Sequence, residues 1–211
     1  MIPSKEQMVS AYEARHGKKL QQKLSSSTVA VCGLGGLGSN ISIALSRAGI
    51  GRLILIDFDK VDISNLHRQQ YKVSQIGMLK TEALSLNLSE ISPYTVLEKH
   101  AVKITEQNAF ELLKNADVIC EAFDNPQAKA MLANLVLEKL PEKYYVAASG
   151  MAGIDSTNNI ITKRISKRFY LCGDGVSEVK AGEGLFAARV MACAAHQAHT
   201  VIRILAGYFD V

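Results

Sequence analysis

The sequence predicts an α/β fold: a doubly wound, Rossmann-like, mainly parallel sheet with an antiparallel C-terminal extension after residue 155. Three observations predict it. Short apolar runs at 28–32, 53–56, 117–122 and 144–148 alternate with segments of helical periodicity, as repeated βαβ units require. The first run ends in Gly33, Gly35, Gly36 and Gly38, and an amphipathic segment follows at once. Asp57 and Asp59 close the second run, about 20 residues beyond the glycines, as the nucleotide fingerprint asks.

Taken in order, residues 4–24 read as an N-terminal helical arm with Met8, Tyr12, Leu20 and Leu24 apolar, interrupted or bent after Arg15 by His16 and Gly17. Strand Thr28–Cys32 leads through the glycine turn into a helix ending near Ala48. Leu53, Ile54, Leu55 and Ile56 are apolar in succession, which suits a central parallel strand covered on both faces. A polar loop with Asn65 and Arg68 precedes a helix from Lys80 to about Ile91, then a strand near 95–102 and a short helix at 105–115 that turns Phe110, Leu112 and Leu113 inward. The strand at 117–122 runs into Asp124, Asn125 and Pro126, where Asn125 suits an N-cap and Pro126 the first helical position. After strand Tyr144–Ala148, the segments 159–165 and 168–172 read as an antiparallel hairpin whose Lys163, Arg164, Lys167 and Arg168 form a solvated face. The stretch 173–184 is glycine-rich and expected to be mobile, and the final helix, 185–206, is apolar nearly all round, which predicts burial. The whole of 1–211 is expected to form a single domain.

Composition narrows the function. At 211 residues, 48% hydrophobic and 21% charged, the chain has the make-up of an ordinary globular protein. Its net charge of +4 favours anionic ligands, but without a dense Lys/Arg run it gives no case for nucleic acid. No apolar run is long enough for a membrane span, and residues 1–7 lack the apolar centre of a signal peptide. Cys32, Cys120, Cys172 and Cys193 form no C-x-x-C pair, so a reduced, cytoplasmic protein without a zinc ribbon is expected. His196 and His199, with no carboxylate or cysteine beside them, do not make a metal site.

The crevice candidates are then the glycines Gly33, Gly35, Gly36 and Gly38, with Asp57, Asp59, Asn65, Arg68, Lys80 and Asp124. Glycines let a phosphate approach the backbone, and helix N–H groups face the anion. One of Asp57 and Asp59 is expected to accept hydrogen bonds from ribose hydroxyls. A nicotinamide site needs the glycines and one acid; Arg68, Lys80 and Asp124 suit a triphosphate whose charge must be neutralised. Asp124 is a carboxylate of the kind that holds Mg²⁺ together with phosphate oxygens. The residues alone leave two alternatives open: an NAD-dependent oxidoreductase, and a nucleotide-binding protein that has lost turnover.

Gly33-Leu-Gly-Gly-Leu-Gly-Ser39, Asp57-Phe-Asp59, Ser64-Asn-Leu-His-Arg-Gln69, Lys80 and Asp124-Asn125, in this order and spacing, resemble the ThiF/MoeB adenylyltransferases, relatives of the ubiquitin-activating enzymes. The resemblance runs over about residues 20–207 and includes Gln197-Ala198 in the last helix. It implies a homodimer that uses ATP and Mg²⁺ to adenylylate the C-terminal glycine of a small ubiquitin-like sulfur carrier ending in Gly-Gly. It further implies that Asp59 binds the ribose, that Asn65, Arg68 and Lys80 hold the phosphates, and that Asp124 holds Mg²⁺. Arg15 is the match for an arginine supplied by the other subunit. The chain lacks the two C-x-x-C pairs of larger members, so no zinc is expected, and it most resembles the short ThiF-type proteins of thiamine biosynthesis. Some members bond a cysteine covalently to the carrier or to sulfur; Cys172, before Gly173, is the one thiol here that matches, and a structural role is the leading reading of it.

Overall fold

The computed structural model describes residues 2–179 and 184–211. Seven strands form one sheet in the order β3-β2-β1-β4-β5-β7-β6. They are β1 (Thr28–Cys32), β2 (Arg52–Ile56), β3 (Val96–His100), β4 (Val118–Glu121), β5 (Tyr144–Ala148), β6 (Ile161–Arg164) and β7 (Phe169–Gly173). All neighbours pair in parallel except β6 with β7, so the predicted antiparallel edge is present. Chain direction of travel reverses at β1, which lies between β2 and β4. The crevice at such a switch point, beyond the carboxyl ends of the strands, is where doubly wound folds bind ligands.

The side-chain alternation of a strand divides the core in two. Val29, Val31, Leu53, Leu55, Val118, Cys120 and Val146 face one apolar layer, together with Ile41, Leu45, Leu84, Val190 and Val201. Ala30, Cys32, Ile54, Ile56, Ile119, Tyr145 and Ala147 face the other, with Leu113, Leu132 and Val136. The helices supplying these layers are α3 (Gly36–Arg47), α4 (Lys80–Ile91) and α7 (Ala187–Ala206) on the first side, and α5 (Ala109–Leu113) and α6 (Pro126–Lys139) on the second. The N-terminal arm is two helices, α1 (Lys5–His16) and α2 (Lys18–Ser26), broken at Gly17 with φ +84°.

Three expectations change. The helix at 105–115 shortens to α5, a single turn that buries Ala109 and Leu113; Phe110, one position round, is 40% exposed rather than inward. The last helix is amphipathic: Val190, Cys193, Ala194, Gln197 and Val201 face the core, while Met191, Ala195 and His199, at i, i+4 and i+8, face outward. Its many alanines hide the stripe from a reading by hydrophobicity alone. The glycine-rich stretch 173–184 is pinned at its start, and residues 180–183, Gly182 among them, lie outside the described residues. The pin is Asp174, whose carboxylate accepts the N–H groups of Val176 and Ser177 at 2.8 Å each and meets the Arg189 guanidinium at 2.5 Å. Arg189, buried in the first turn of α7, also donates to the carbonyls of Asp155 and Ser156. Burial pushes the Asp174 carboxyl up, but the hydrogen bonds from Ser177, Val176 and Arg189 outweigh it and hold its pKa at about 2.

The glycine turn is closed tightly. Gly33 has φ +90°, and a Cβ there would stand 2.9 Å from the Ala122 carbonyl at the end of β4. A Cβ on Gly38 would overlap the Gly33 carbonyl oxygen. Gly38→Ala is therefore expected to destabilise the fold by about 2 kcal/mol or more, because overpacking against backbone outweighs the roughly 1 kcal/mol of helix propensity that alanine adds; urea unfolding measures it.

Asp174→Asn is expected to lower stability at neutral pH by about 3–5 kcal/mol by leaving Arg189 buried and unpaired. The folded pKa of Asp174 is depressed, so its contribution is present above the ordinary aspartate value and is lost as pH falls toward about 2. Unfolding of the native protein across that acid window should show about 2 kcal/mol of loss from this group, which the asparagine variant lacks.

Candidate functional site

The glycine turn sits where β1 hands over to α3, at the centre of the carboxyl edge. Asp57, the first residue after β2, locks it: its Oδ2 accepts the Leu34 N–H at 2.6 Å and its Oδ1 accepts the Asp59 N–H at 2.8 Å. Asp57 is 8% exposed, and burial pushes its carboxyl up against the opposing pull of Lys80 and the two N–H groups. Both oxygens are thus turned to the protein's own backbone. Asp59 is exposed and its Oδ2 receives the Lys80 ammonium at 2.8 Å. Lys80 opens α4 and is 6% exposed, with its Nζ also 4.0 Å from Asp57.

Opposite the turn lies the loop 61–79. Asp62 and Asn65 cap each other around a single 3-10 turn, Ile63–Asn65, with the Asp62 N–H donating to the Asn65 Oδ1. Arg68 runs its aliphatic stem along Gly36, its Cγ 3.6 Å from where a Cβ on that glycine would stand. Its Nη1 donates to the Ser64 carbonyl at 3.1 Å, and its Nε and Nη2 have no hydrogen-bond partner among the described residues.

The loop is strapped to the glycine helix by contacts that sequence reasoning missed. Ser39 Oγ accepts the Gln70 N–H at 3.1 Å, Asn40 Nδ2 donates to the Arg68 carbonyl at 3.4 Å, and the Gln70 carboxamide donates to Asn40 Oδ1 at 2.7 Å. Tyr71 donates its hydroxyl to the Leu34 carbonyl at 2.7 Å. Ser39 stands inside the glycine motif and Asn40 directly after it, but nothing in their type signals a partner about 30 residues away.

On the other side of β1, the Asn125 side chain accepts the Ala128 N–H at 2.9 Å and Pro126 fills the first helical position. Asn125 therefore takes the cap, and Asp124 is exposed with no hydrogen-bond partner among the described residues. The turn that holds it is braced from below. Glu121, 1% exposed at the end of β4, accepts the Phe123 N–H at 2.6 Å and both its oxygens meet Lys129 Nζ, at 2.9 and 3.0 Å; Lys129 also donates to the Ala148 carbonyl at 3.0 Å. The Gln197 carboxamide donates to the Glu121 carbonyl at 2.9 Å, tying α7 to the same point. Burial pushes the Glu121 carboxyl up, with Lys129 and the Phe123 N–H pulling it down.

Arg15 does not join this edge. Tyr12, in the same helix, stands 3.1 Å from where a Cβ on Gly49 would lie, and Tyr94 donates to the Pro3 carbonyl. Gly49 and Tyr94 precede β2 and β3, so α1 sits at the amino ends of the strands. A five-residue strand spans about 17 Å. Arg15 is exposed on that far side.

Cys172 stands at the carboxyl end of β7 but is closed off from solvent. It lies within β7, fully buried, with its thiol pushed up by burial and in contact with the Thr162 and Thr200 hydroxyls. Among the described residues no group of three His, Cys, Asp or Glu side chains is gathered for a metal, and no helix is long and apolar enough to cross a membrane.

Known proteins share both sequence and shape with this chain. It is 37% identical over 132 residues to the adenylyltransferase and sulfurtransferase UBA4 of Lodderomyces elongisporus, a match covering 62% of this chain and 29% of that one. It is 41% identical over 106 residues to the adenylyltransferase and sulfurtransferase MOCS3 of Dictyostelium discoideum, covering 50% and 25%. The chain thus aligns with under a third of the length of these relatives. The crystal structure of Escherichia coli tRNA N6-threonylcarbamoyladenosine dehydratase, TcdA, in complex with ATP superposes with a TM-score of 0.86 over 98% of both chains, at 20% identity. E. coli MccB gives 0.71 over 93% of this chain and 65% of its own, at 22% identity. Residues 9–211 match the ThiF family, and the chain belongs to it.

Proposed function

We propose that this protein adenylylates the terminal carboxylate of a small ubiquitin-like sulfur-carrier protein ending in Gly-Gly, using ATP. The observation that carries this reading is the convergence, on one sheet edge, of the glycine turn, the Arg68 loop, the Lys80–Asp59 pair and the turn bearing an uncommitted Asp124. The relatives named adenylyltransferases and the ATP complex of TcdA support it.

In this reading the backbone N–H groups of Gly35 and Gly36 and the N-terminus of α3 receive phosphate oxygens. Asp59, half-exposed, accepts from the ribose hydroxyls; Asp57, with both oxygens used, holds the turn in shape rather than touching the nucleotide. Arg68 and Lys80 neutralise the triphosphate, and Asn65 offers its carboxamide N–H groups from the same loop. The donor set at Asp124, one free carboxylate beside a phosphate site, fits Mg²⁺, which takes one or two protein carboxylates with the remainder from phosphate and water. When bound there, the ion screens the phosphates and stabilises charge on the departing pyrophosphate.

A carboxylate oxygen of the carrier attacks the α-phosphorus, and the bond from that phosphorus to the α–β bridging oxygen breaks. The products are an acyl-adenylate and pyrophosphate. No proton moves, so the chain need supply only position and fixed charge. The buried Cys172 takes no part in this step.

The finer reading assigns the carrier to thiamine biosynthesis, in the cytoplasm, and makes the protein a homodimer in which Arg15 serves the partner's site. The position of α1, beyond the amino edge of its own sheet, favours that exchange. A second reading comes from the full-length likeness to TcdA, where the carboxylate activated would belong to a modified tRNA nucleoside rather than a peptide.

With labelled pyrophosphate, ATP and a Gly-Gly-ended carrier, label is expected to exchange into ATP. Asp124→Ala should lower the exchange by about 100-fold or more, and undiminished exchange would remove Asp124 from the site. Exchange that needs threonylcarbamoyl-modified tRNA, and ignores the carrier, would select the second reading.

Arg15→Ala and Asp124→Ala should each be inactive alone. Mixed and allowed to exchange subunits, they should recover about a quarter of native activity, because half the dimers then hold one intact site. An arginine serving its own chain gives no recovery.

A further inference from the structure

The ladder between β4 and β5 stops short of the crevice. It runs from Val118–Tyr144 to Cys120–Val146, whereas on its other side β4 stays paired with β1 as far as Cys32–Glu121. Beyond Cys120 the β4 and β5 exits are joined by side chains instead. From α6, Lys129 Nζ donates to both Glu121 carboxylate oxygens, at 2.9 and 3.0 Å, and to the Ala148 carbonyl at 3.0 Å. From α7, on the opposite face, Gln197 Nε2 donates to the Glu121 carbonyl at 2.9 Å and to the Val146 carbonyl at 3.3 Å.

Asp124 stands just past this gap, and its side chain has no hydrogen-bond partner among the described residues. Its place is therefore set through the backbone of its turn. That backbone is fixed on one side by the Asn125 cap, and on the other by Glu121, which accepts the Phe123 N–H at 2.6 Å. The Phe123 ring in turn lies against the glycine turn, its Cδ1 3.1 Å from where a Cβ on Gly33 would stand. A buried ion pair gives little or no stability over apolar side chains of the same volume, so stability alone does not account for this one.

We propose that Glu121 and Lys129 are positioning residues, which clamp the β4 and β5 exits together and so aim the Asp124 carboxylate at the phosphate site to hold Mg²⁺. This rests on the triphosphate reading above and adds to it what orients the ligand of the ion. Neither residue touches the nucleotide. Glu121 is 1% exposed with both carboxylate oxygens engaged, and Lys129 spends its ammonium on three acceptors, as many as it has N–H groups.

Calorimetric binding of ATP tests this without turnover. ATP should bind the native protein more tightly with Mg²⁺ than with EDTA, and Asp124→Ala should lose that gain. Glu121→Met combined with Lys129→Met replaces the pair by apolar side chains of similar length, so its melting temperature should stay within a few degrees of native. Its dissociation constant for ATP in EDTA should be unchanged, while the gain from Mg²⁺ should fall about 10-fold, as when a group that orients a metal ligand is lost. Lys129→Arg, which keeps the charge and the donors, should retain the native gain.

A double-methionine variant with the native gain overturns the proposal. So does one that loses ATP equally with and without Mg²⁺, or that melts several degrees lower, since each marks a pair that only holds the fold together. A stable Lys129→Arg variant without the gain overturns it too, because the ion pair is then present and Asp124 is not aimed by it. Native protein that binds ATP equally well in Mg²⁺ and EDTA, or an Asp124→Ala variant with the native gain, overturns the reading of Asp124 itself, and this role with it.

Discussion

The site depends on one hydrogen-bonded carboxylate. Asp57 joins the end of β2 to the glycine turn through Leu34 and shapes its own exit through Asp59. A buried acid is expensive unless its charge is matched, and burial does push this one up. Three things offset that: two N–H donors, the nearby Lys80 ammonium, and the positive end of α3 behind the turn. Without Asp57 the Leu34 N–H would be a buried donor with no acceptor, and the turn could open toward solvent.

From that lock the remaining placements follow by topology. β1 is flanked by β2 and β4, so whatever follows each of these strands must emerge beside the turn. The close approach of Gly33 to Ala122 brings the β4 exit into contact with it, two residues before Asp124. The strap from Ser39, Asn40 and Tyr71 draws in the Arg68 loop from the other side. Two buried ion pairs, Glu121–Lys129 and Asp174–Arg189, then fix the β4, β5 and β7 exits in turn. Removing one partner of such a pair leaves a stranded charge, which makes each of them a rigid tie.

Much of this was legible in the sequence, and what was not has a common cause. The strand runs Thr28–Cys32 and Tyr144–Ala148 were legible to the residue because apolar runs bounded by polar turns have few readings. The Asn125–Pro126 start of α6 was legible because cap and proline each have a local geometric reason. Asp57 and Asp59 are alike as letters. Residue type does not separate them; the resemblance singles out Asp59, and the structure shows Asp57 with both oxygens bound to backbone and Asp59 exposed beside Lys80. Arg15 could not be located from its neighbours, because the side on which an arm docks is set by Tyr12 and Pro3 meeting residues 37 and 91 positions away. The same holds for the Ser39–Asn40 strap, whose meaning lies in contacts across the fold.

The charges at the crevice are arranged so that no single one is free to collapse the site. Lys80 is buried against Asp59 and near Asp57, so its charge is paired within the fold. Arg68 spends one nitrogen on its own loop and lies with its stem along Gly36, and its Nε and Nη2 have no partner among the described residues. Asp124 is left without a donor among the described residues, because Asn125 does the capping that an aspartate would otherwise do. On the proposed reading, a polyphosphate entering between them would meet fixed donors on one wall and a free carboxylate on the other. That asymmetry would favour a ligand that carries its own cation over a bare anion, since only the former would satisfy Asp124 as well as Arg68.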